Sequence, residues 1–460
     1  MKKTIQSLQE FSIPLIAGVI MAMFWANVSP DSYQAMVHTP IYLLGTIFSH
    51  SADHAHTAHG GWDHYLTLHF LINDIFMALF FGIAAKEITE ACLPKGALNP
   101  VSKAINPLFG TVGGVLGPIG MFLLLNSTVG NPAWKNGWGV PTATDIALAW
   151  LVIKFLFGAR HPAVSFLLLL AVADDAIGLG IIAIGYPDPA HPTQWMNLMW
   201  CVPGMAIAWG LRRRQVMNWV PYILAGGSLC WWGLYSAHLH PALALVFVVP
   251  FLPGPKQDLG LFVDDDDYSP GHHHSPLESF EHSLKLFVDF GLFFFALVNA
   301  GVGFGEINGL SWIIVGSLIA GKVIGITGFS TIAEMMGFPL PAGMTRSHLV
   351  VTSCVAGLGL TVALFVCGQA FVDPSLQAAA KMGAVFSVGA AAVAFVAKQM
   401  LRIPATAIDS FEVVMTESAH SVGTIEQETL DALEAAQKAM DEALAMDAAT
   451  VTKDHPENVR

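Results

Sequence analysis

Charge is scarce in this chain, and the scarcity excludes most soluble folds. Charged residues fill 12% of the 460 positions and hydrophobic ones 54%, whereas soluble domains carry about 25% charged residues. The mean hydropathy is +0.57. Basic residues are the scarcer sign: 21 Lys and Arg against 34 Asp and Glu leave a formal net charge of −13. With no basic stripe to follow a phosphate backbone, nucleic acid is excluded as a partner. Only five cysteines occur, Cys92, Cys201, Cys230, Cys354 and Cys367. None forms a C-x-x-C pair and four lie in apolar runs, so they read as small helix residues. The apolar run from about Phe11 to Val28 lacks a small-x-small cleavage site and continues into Trp25 and Asn27. It reads as a first membrane span and not as a leader.

Long apolar runs are what the chain has instead. Further spans are expected near 70–85, 107–125, two within 141–185, 196–211, 218–237, 241–252, 287–304, 311–330, 349–371 and 379–397, twelve with the first. A polar stretch at 253–283 with DDDD and HHH runs reads as a long aqueous loop, and residues 403–460 as an acidic, partly helical tail outside a membrane domain of residues 1–402. A twelve-span count with the amino terminus inside puts Lys95, Lys103, Arg160, Arg212, Arg213, Arg214, Lys256, Lys285, Arg346, Lys398 and Arg402 on the cytoplasmic side. Only Lys135 and Lys381 then fall outside, and both termini are expected in the cytoplasm. Residues 49–69 hold His50, His54, His56, His59, His64 and His69, but without a fixed spacing or a cysteine they read as a solvated outer loop.

The informative residues are the charges placed deep inside these runs. Asp145 lies in the fourth span and the adjacent Asp174 and Asp175 in the fifth. A carboxylate at mid-membrane costs roughly 2.5 to 3.5 kcal/mol on insertion scales, so three in one helical hairpin imply a cation. Pro141 removes one backbone hydrogen bond just before Asp145, and Thr142 and Thr144 can bond to freed carbonyls, so the fourth span is expected to unwind there. Lys322 lies equally deep in the tenth span, too far from either surface to snorkel, and its expected partner is Asp174, Asp175 or Asp145. The run Ala356-Gly357-Leu358-Gly359-Leu360-Thr361 offers a second break, one in each half of the chain. Paired interrupted spans point to a transport site at the interface of inverted repeats. Two carboxylates with threonine or backbone oxygens suit a bare Na⁺, and protons compete for the same oxygens.

Taken in order, GWGVPTATDIALA, LLLAVADDAIGLGIIAI, FALVNAGVGF, IAGKVIGI and GLGLTVALFV resemble the NhaA-type sodium/proton antiporters, and INDIFMALFF is similar to that family's second span. That family is itself among the proteins from which the interrupted-span pointer was drawn. The resemblance covers roughly residues 10 to 400. It implies an all-α polytopic membrane protein of about twelve helices, with inverted repeats and two broken helices crossing near midplane. It implies a transporter and not an enzyme: electrogenic exchange of Na⁺ or Li⁺ for H⁺ in the bacterial inner membrane, without a cofactor. The expected partners are these ions and the lipid bilayer, with a homodimer as the candidate assembly.

Carried over by position, Asp175 is the main cation and proton carrier and Asp174 its partner, paired with Lys322. Thr144 and Asp145 mark the broken helix and are expected, with Asp174 and Asp175, to bind the cation and the proton, while Asp145 also offsets facing positive helix ends and Lys322 is the charge-compensating, proton-coupled group. Gly357 and Gly359 mark the second break. Asp74 and Glu87 match acidic positions of the second span and its cytoplasmic funnel. The chain departs from the family where Glu87 is followed by Ile88, Thr89 and Glu90 in place of a basic pair and an acid. A sodium-coupled symporter of an organic solute is the alternative. An intramembrane aspartyl protease would need a G-x-G-D context, which Ala173-Asp174 lacks.

Overall fold

The computed structural model describes residues 12–40, 67–93, 101–159, 161–186, 193–254 and 275–403, with no side chains for 101–103. The histidine-rich loop up to residue 66, the DDDD and HHH runs and residues 404–460 lie outside the described residues. Every expected span falls on a helical segment. In chain order these are α1 (Ile13–Val28), followed by the short α2 (Pro30–His38), then α3 (Leu68–Ala91) and α4 (Val101–Val129). A 3₁₀ segment (Pro132–Thr142) leads into α5 (Ile146–Phe157), and α6 (Pro162–Gly185) follows. Next come α7 (Cys201–Arg213), α8 (Ser228–Ser236), 3₁₀ turns at Pro241–Phe247 and Val249–Phe251, and α9 (Pro276–Asn299). The chain continues with α10 (Gly309–Met335), α11 (Arg346–Ala356), α12 (Thr361–Ala370) and α13 (Pro374–Met400).

Five of these, α3, α4, α6, α10 and α13, are single helices long and apolar enough to cross a membrane. Two bent pairs pass the same test as wholes: Pro132–Thr142 with α5, bent by 58°, and α11 with α12, bent by 50°. The remaining segments are shorter or more polar, and Pro241–Phe251 is 3₁₀ instead of α. Helices α3 and α8 pack on the Pro241–Phe247 turn, with α7 against α8 and α9 against α1 and α3, whereas α4, α6, α10, α13 and both bent pairs form a second group.

The second group is drawn together by glycine. In α4, Gly113 and Gly117 face Gly321 and Gly325 of α10, two G-x-x-x-G faces on crossing helices. A Cβ at Gly113 would stand 2.1 Å from the Gly325 carbonyl oxygen, so only glycine permits this approach. The consequence is that Lys322, next to Gly321 and fourteenth of the 27 residues of α10, is held against the middle of the bundle.

Two boundaries differ from the expectation. The long loop ends at Ser275: its hydroxyl accepts from the Glu278 amide and the Glu278 carboxylate accepts from the Ser275 amide, a reciprocal cap that starts α9 at Pro276. Residues 276–283, expected as loop, are therefore the first turns of a helix. Lys381, expected at the outer start of a span near 379–397, is the eighth residue of α13, which starts earlier, at Pro374, because Asp373 caps it through the Ser375 amide.

Candidate functional site

The fourth span breaks where Pro141 predicts. The 3₁₀ segment ends at Thr142, Ala143 is extended, and α5 begins after Asp145. Thr142 Oγ1 donates to the Gly139 carbonyl at 2.7 Å, the local bond expected of a threonine at a broken turn. Thr144 does otherwise: its hydroxyl reaches Asp174 Oδ2 at 2.7 Å, with the Ala356 carbonyl at 3.1 Å as a second acceptor.

The other broken span meets it at the same level. Chain 357–360 links α11 to α12, and a Cβ at Gly359 would stand 2.8 Å from the Ala143 carbonyl oxygen and 2.7 Å from Leu318 Cδ2. Gly357 has φ −69°, an angle open to any residue, so it too serves close approach, here to the Leu318 carbonyl and Ile319. Asp145 joins the two breaks. Its amide donates to the Leu358 carbonyl at 2.6 Å, its Oδ1 accepts from the Leu148 amide at 3.1 Å, and its Oδ2 accepts from the Thr361 amide at 3.2 Å. One carboxylate thus caps α5 and reaches the first residue of α12, at two positive helix ends.

Lys322 is fully buried, and its ammonium has three acceptors. They are the Thr142 carbonyl at 2.5 Å, Thr144 Oγ1 at 3.0 Å, and Asp174 Oδ2 in a direct ion pair. All three ammonium protons are used, which is the condition for keeping a cation in a low-dielectric interior. Of the three candidate partners, Asp174 is the one paired. Asp174 and Asp175 are the thirteenth and fourteenth of the 24 residues of α6, both buried. Asp174 Oδ1 and Asp175 Oδ1 have no hydrogen-bond partner among the described residues. Buried carboxylate oxygens left open beside a satisfied ion pair are a place for a ligand that brings positive charge, either a metal cation or a proton.

The structure therefore gathers Thr144, Asp145, Asp174, Asp175, Lys322, Gly357 and Gly359. It does not bring in Asp74 or Glu87. Asp74 lies in a π-helical turn (Leu71–Phe76) toward one end of α3, where its carbonyl accepts from Trp231 Nε1 at 3.1 Å. Glu87 lies thirteen residues on, about 20 Å along the helix, in a cluster around Lys86. Lys86 pairs with Glu87 at 3.5 Å, with Glu90 at 2.7 Å and with Glu281 of α9, and Glu281 also pairs with Lys285 at 3.5 Å. Lys86, one residue before Glu87, and Lys285, from α9, supply the positive charge of this cluster. Sequence reasoning missed Glu281 and Lys285, although Glu278, Glu281 and Lys285 recur at helical spacing right after a capping sequence.

An all-helical membrane protein with two broken helices meeting at buried carboxylates and a buried lysine is a secondary transporter of small cations. Comparison with known proteins narrows the class. Residues 2–398 match the family model described as Na⁺/H⁺ antiporter 1, and the chain belongs to that family. It is 55% identical over 403 residues to Na(+)/H(+) antiporter NhaA 2 of Pelobacter propionicus, an alignment covering 88% of this chain and 99% of that one. It is 54% identical to Na(+)/H(+) antiporter NhaA of Desulfitobacterium hafniense, covering 87% and 97%. Identity is 52% to the protein of the same name from Geotalea uraniireducens, covering 88% and 98%. The organic-solute symporter reading finds no support among these relatives.

Proposed function

We propose that this protein exchanges Na⁺ or Li⁺ for H⁺ across the bacterial inner membrane at Asp174 and Asp175, with both termini and the 403–460 tail in the cytoplasm. One observation carries the reading: an Asp175 oxygen without a partner among the described residues, beside the Lys322, Asp174 and Thr144 cluster at mid-helix depth. Na⁺ entering this site exchanges water for hard oxygens, those of Asp175 and Asp174 first, with the Thr144 hydroxyl in reach of Asp174. Protons bind the same oxygens, so a site loaded with one ion excludes the other. If both bent pairs carry the loaded site between the two membrane faces, exchange follows. It is electrogenic whenever more than one proton leaves per Na⁺ bound.

Asp145 stays out of this traffic, because both of its oxygens are occupied by helix amides. The Lys86, Glu87, Glu90 and Glu281 cluster serves as the charged mouth on the cytoplasmic side, and Asp74 belongs to the opposite half of α3. The test is proton flux in proteoliposomes on addition of Na⁺, Li⁺, K⁺ or Zn²⁺. Na⁺ and Li⁺ are expected to drive flux in the wild type, with none in Asp175→Asn at equal protein density. Wild-type flux in that variant would overturn the assignment of the carrier.

A further inference from the structure

A polar chain outside the carboxylates runs from the end of α6 back to its middle. Tyr186, the residue after α6, is 5% exposed and makes two hydrogen bonds with one hydroxyl. It accepts from the Gly139 amide at 2.7 Å and donates to the Asn136 carbonyl at 2.8 Å, while its ring stacks on Trp138 at 5.7 Å between centroids. Its own carbonyl accepts from His240 Nε2 at 2.8 Å. The fit is tight: a Cβ at Gly139 would stand 2.6 Å from the tyrosine oxygen. Gly139 is in turn bonded through its carbonyl to the Thr142 hydroxyl, and the Thr142 carbonyl accepts from Lys322.

A 3₁₀ segment needs such an anchor. Its hydrogen bonds are poorer than those of an α-helix and runs longer than three or four residues are uncommon, yet this one extends for 11 residues, Pro132–Thr142. Pro132 and Pro141 remove two of its amide donors. Tyr186 supplies a donor and an acceptor from a different helix at the middle of that segment. That helix, α6, also carries Asp174 and Asp175, so the two components of the site are tied together at a second point away from the ions.

We infer that Tyr186 is a positioning residue of the exchange reaction, holding the Pro132–Thr142 segment so that the Thr142 carbonyl meets Lys322 and the site keeps its affinity for Na⁺. This rests on the assignment of Asp174 and Asp175 proposed above. Tyr186→Phe keeps the stacked ring and removes both hydroxyl bonds, leaving the Gly139 amide buried without an acceptor. Without that anchor the Thr142 carbonyl drifts and one ammonium proton of Lys322 turns to the carboxylates that the cation must occupy.

The experiment is the Na⁺ dependence of proton flux in proteoliposomes of the full chain, for wild type, Tyr186→Phe, Thr142→Val and the double variant. Tyr186→Phe is expected to raise the apparent KM for Na⁺ about three- to tenfold, with the maximal rate within about twofold of wild type. Thr142→Val, which cuts the next bond of the chain, should raise KM in the same sense, and the double variant should exceed the larger single effect by less than the product of the two. A wild-type KM in Tyr186→Phe, whatever its melting temperature, overturns the inference, because a merely structural tyrosine changes stability alone. Should Tyr186→Phe fail to fold, Thr142→Val decides by the same reading of KM. Asp175→Asn run beside them separates the two claims. A dead Asp175→Asn with an unaltered Tyr186→Phe refutes the positioning role only, and an active Asp175→Asn refutes the site itself.

Discussion

Removing Lys322 tests the buried ion pair more directly than any other change. Lys322→Met takes away three hydrogen bonds at once, to Thr142, Thr144 and Asp174, and leaves a carboxylate at 1% exposure facing an apolar side chain. Breaking a buried pair by deleting one member costs about 3 to 5 kcal/mol, because the survivor is left uncompensated. Asp174→Asn strands the ammonium instead, at a cost of the same order. The double variant replaces the pair by two neutral groups that need nothing from each other, so its cost should fall short of the summed singles by about 1 to 3 kcal/mol. With 12 tryptophans in the chain, thermal unfolding in detergent is readable by intrinsic fluorescence. For the roughly 330 described residues, 1 kcal/mol corresponds to roughly 1 to 2 °C. Each single variant should melt about 4 to 8 °C lower, and the double variant lower than either, but by less than the two losses summed. Additive losses would refute the pairing, since they would mean that Lys322 and Asp174 are each held by other groups. Transport read in the same preparations should be lost in both single variants, so stability, and not activity, is what separates them from the double.

Three further outcomes follow from other parts of the fold. Gly113→Ala pushes a methyl group to within 2.1 Å of the Gly325 carbonyl and should lower stability by about 1 to 3 kcal/mol; Gly120→Ala, where the added Cβ meets nothing within 4 Å, should melt as wild type does. Glu281→Gln removes one carboxylate from the Lys86 cluster, so neighbouring carboxylates should hold their protons less tightly. The Na⁺-dependent flux profile, measured over about pH 6 to 9, should then move toward lower pH, and superimposable profiles would remove the cluster from the mechanism. His161 accepts from the Ala163 amide through Nδ1 and caps α6, 4.7 Å from the ring of His348, and burial, then the charges of His348 and Lys398, hold its pKa below the ordinary 6.5. The folded state thus binds that proton less readily than the unfolded one, and stability present above about pH 6.5 is lost as the pH falls through it. In His161→Asn, which keeps the cap without the titration, acidification should lower the melting temperature less than in wild type.

Residues whose role depends on their own position are legible in the sequence alone. A proline before Thr142 marks a break wherever the segment packs, and a lysine in the middle of a long apolar run needs a carboxylate wherever one is found. Gly357 and Gly359 are legible as a break, but the reason is different from a turn's need for positive φ: they let two backbones approach. What escapes is decided by neighbours remote in the chain. Lys86 shows only its own helix in the sequence, and Glu281 and Lys285 come from α9, nearly two hundred residues on. Nothing in GIIAIGYPDP reveals that the Tyr186 hydroxyl meets Gly139. The start of α9 is a different case, since Ser275-Pro-Leu-Glu carries both a cap and its return partner in plain sequence. Charge and His density in the preceding stretch obscure it.

Asp145 shows why the site needs more acid than the cation binds. The breaks in the two bent pairs expose helix ends, and the amides of Leu148 and Thr361 point into the same buried space. Left alone, those partial positive charges would add to Lys322 and repel an arriving Na⁺. Asp145 answers both ends with one carboxylate, so its charge is spent on the backbone and the helices keep their breaks. Asp174 answers Lys322 in the same way. Of the three acidic groups and the three positive elements they face, only Asp175 lacks a fixed protein partner among the described residues. On the function proposed above, the net charge of the cluster is then carried by a single carboxylate, left for Na⁺ or H⁺ by the absence of a permanent ion pair among the described residues. If Asp175 is the carrier as proposed, a further fixed cation here is expected to fill that position and abolish exchange, and a further carboxylate to hold the cation too tightly to release it.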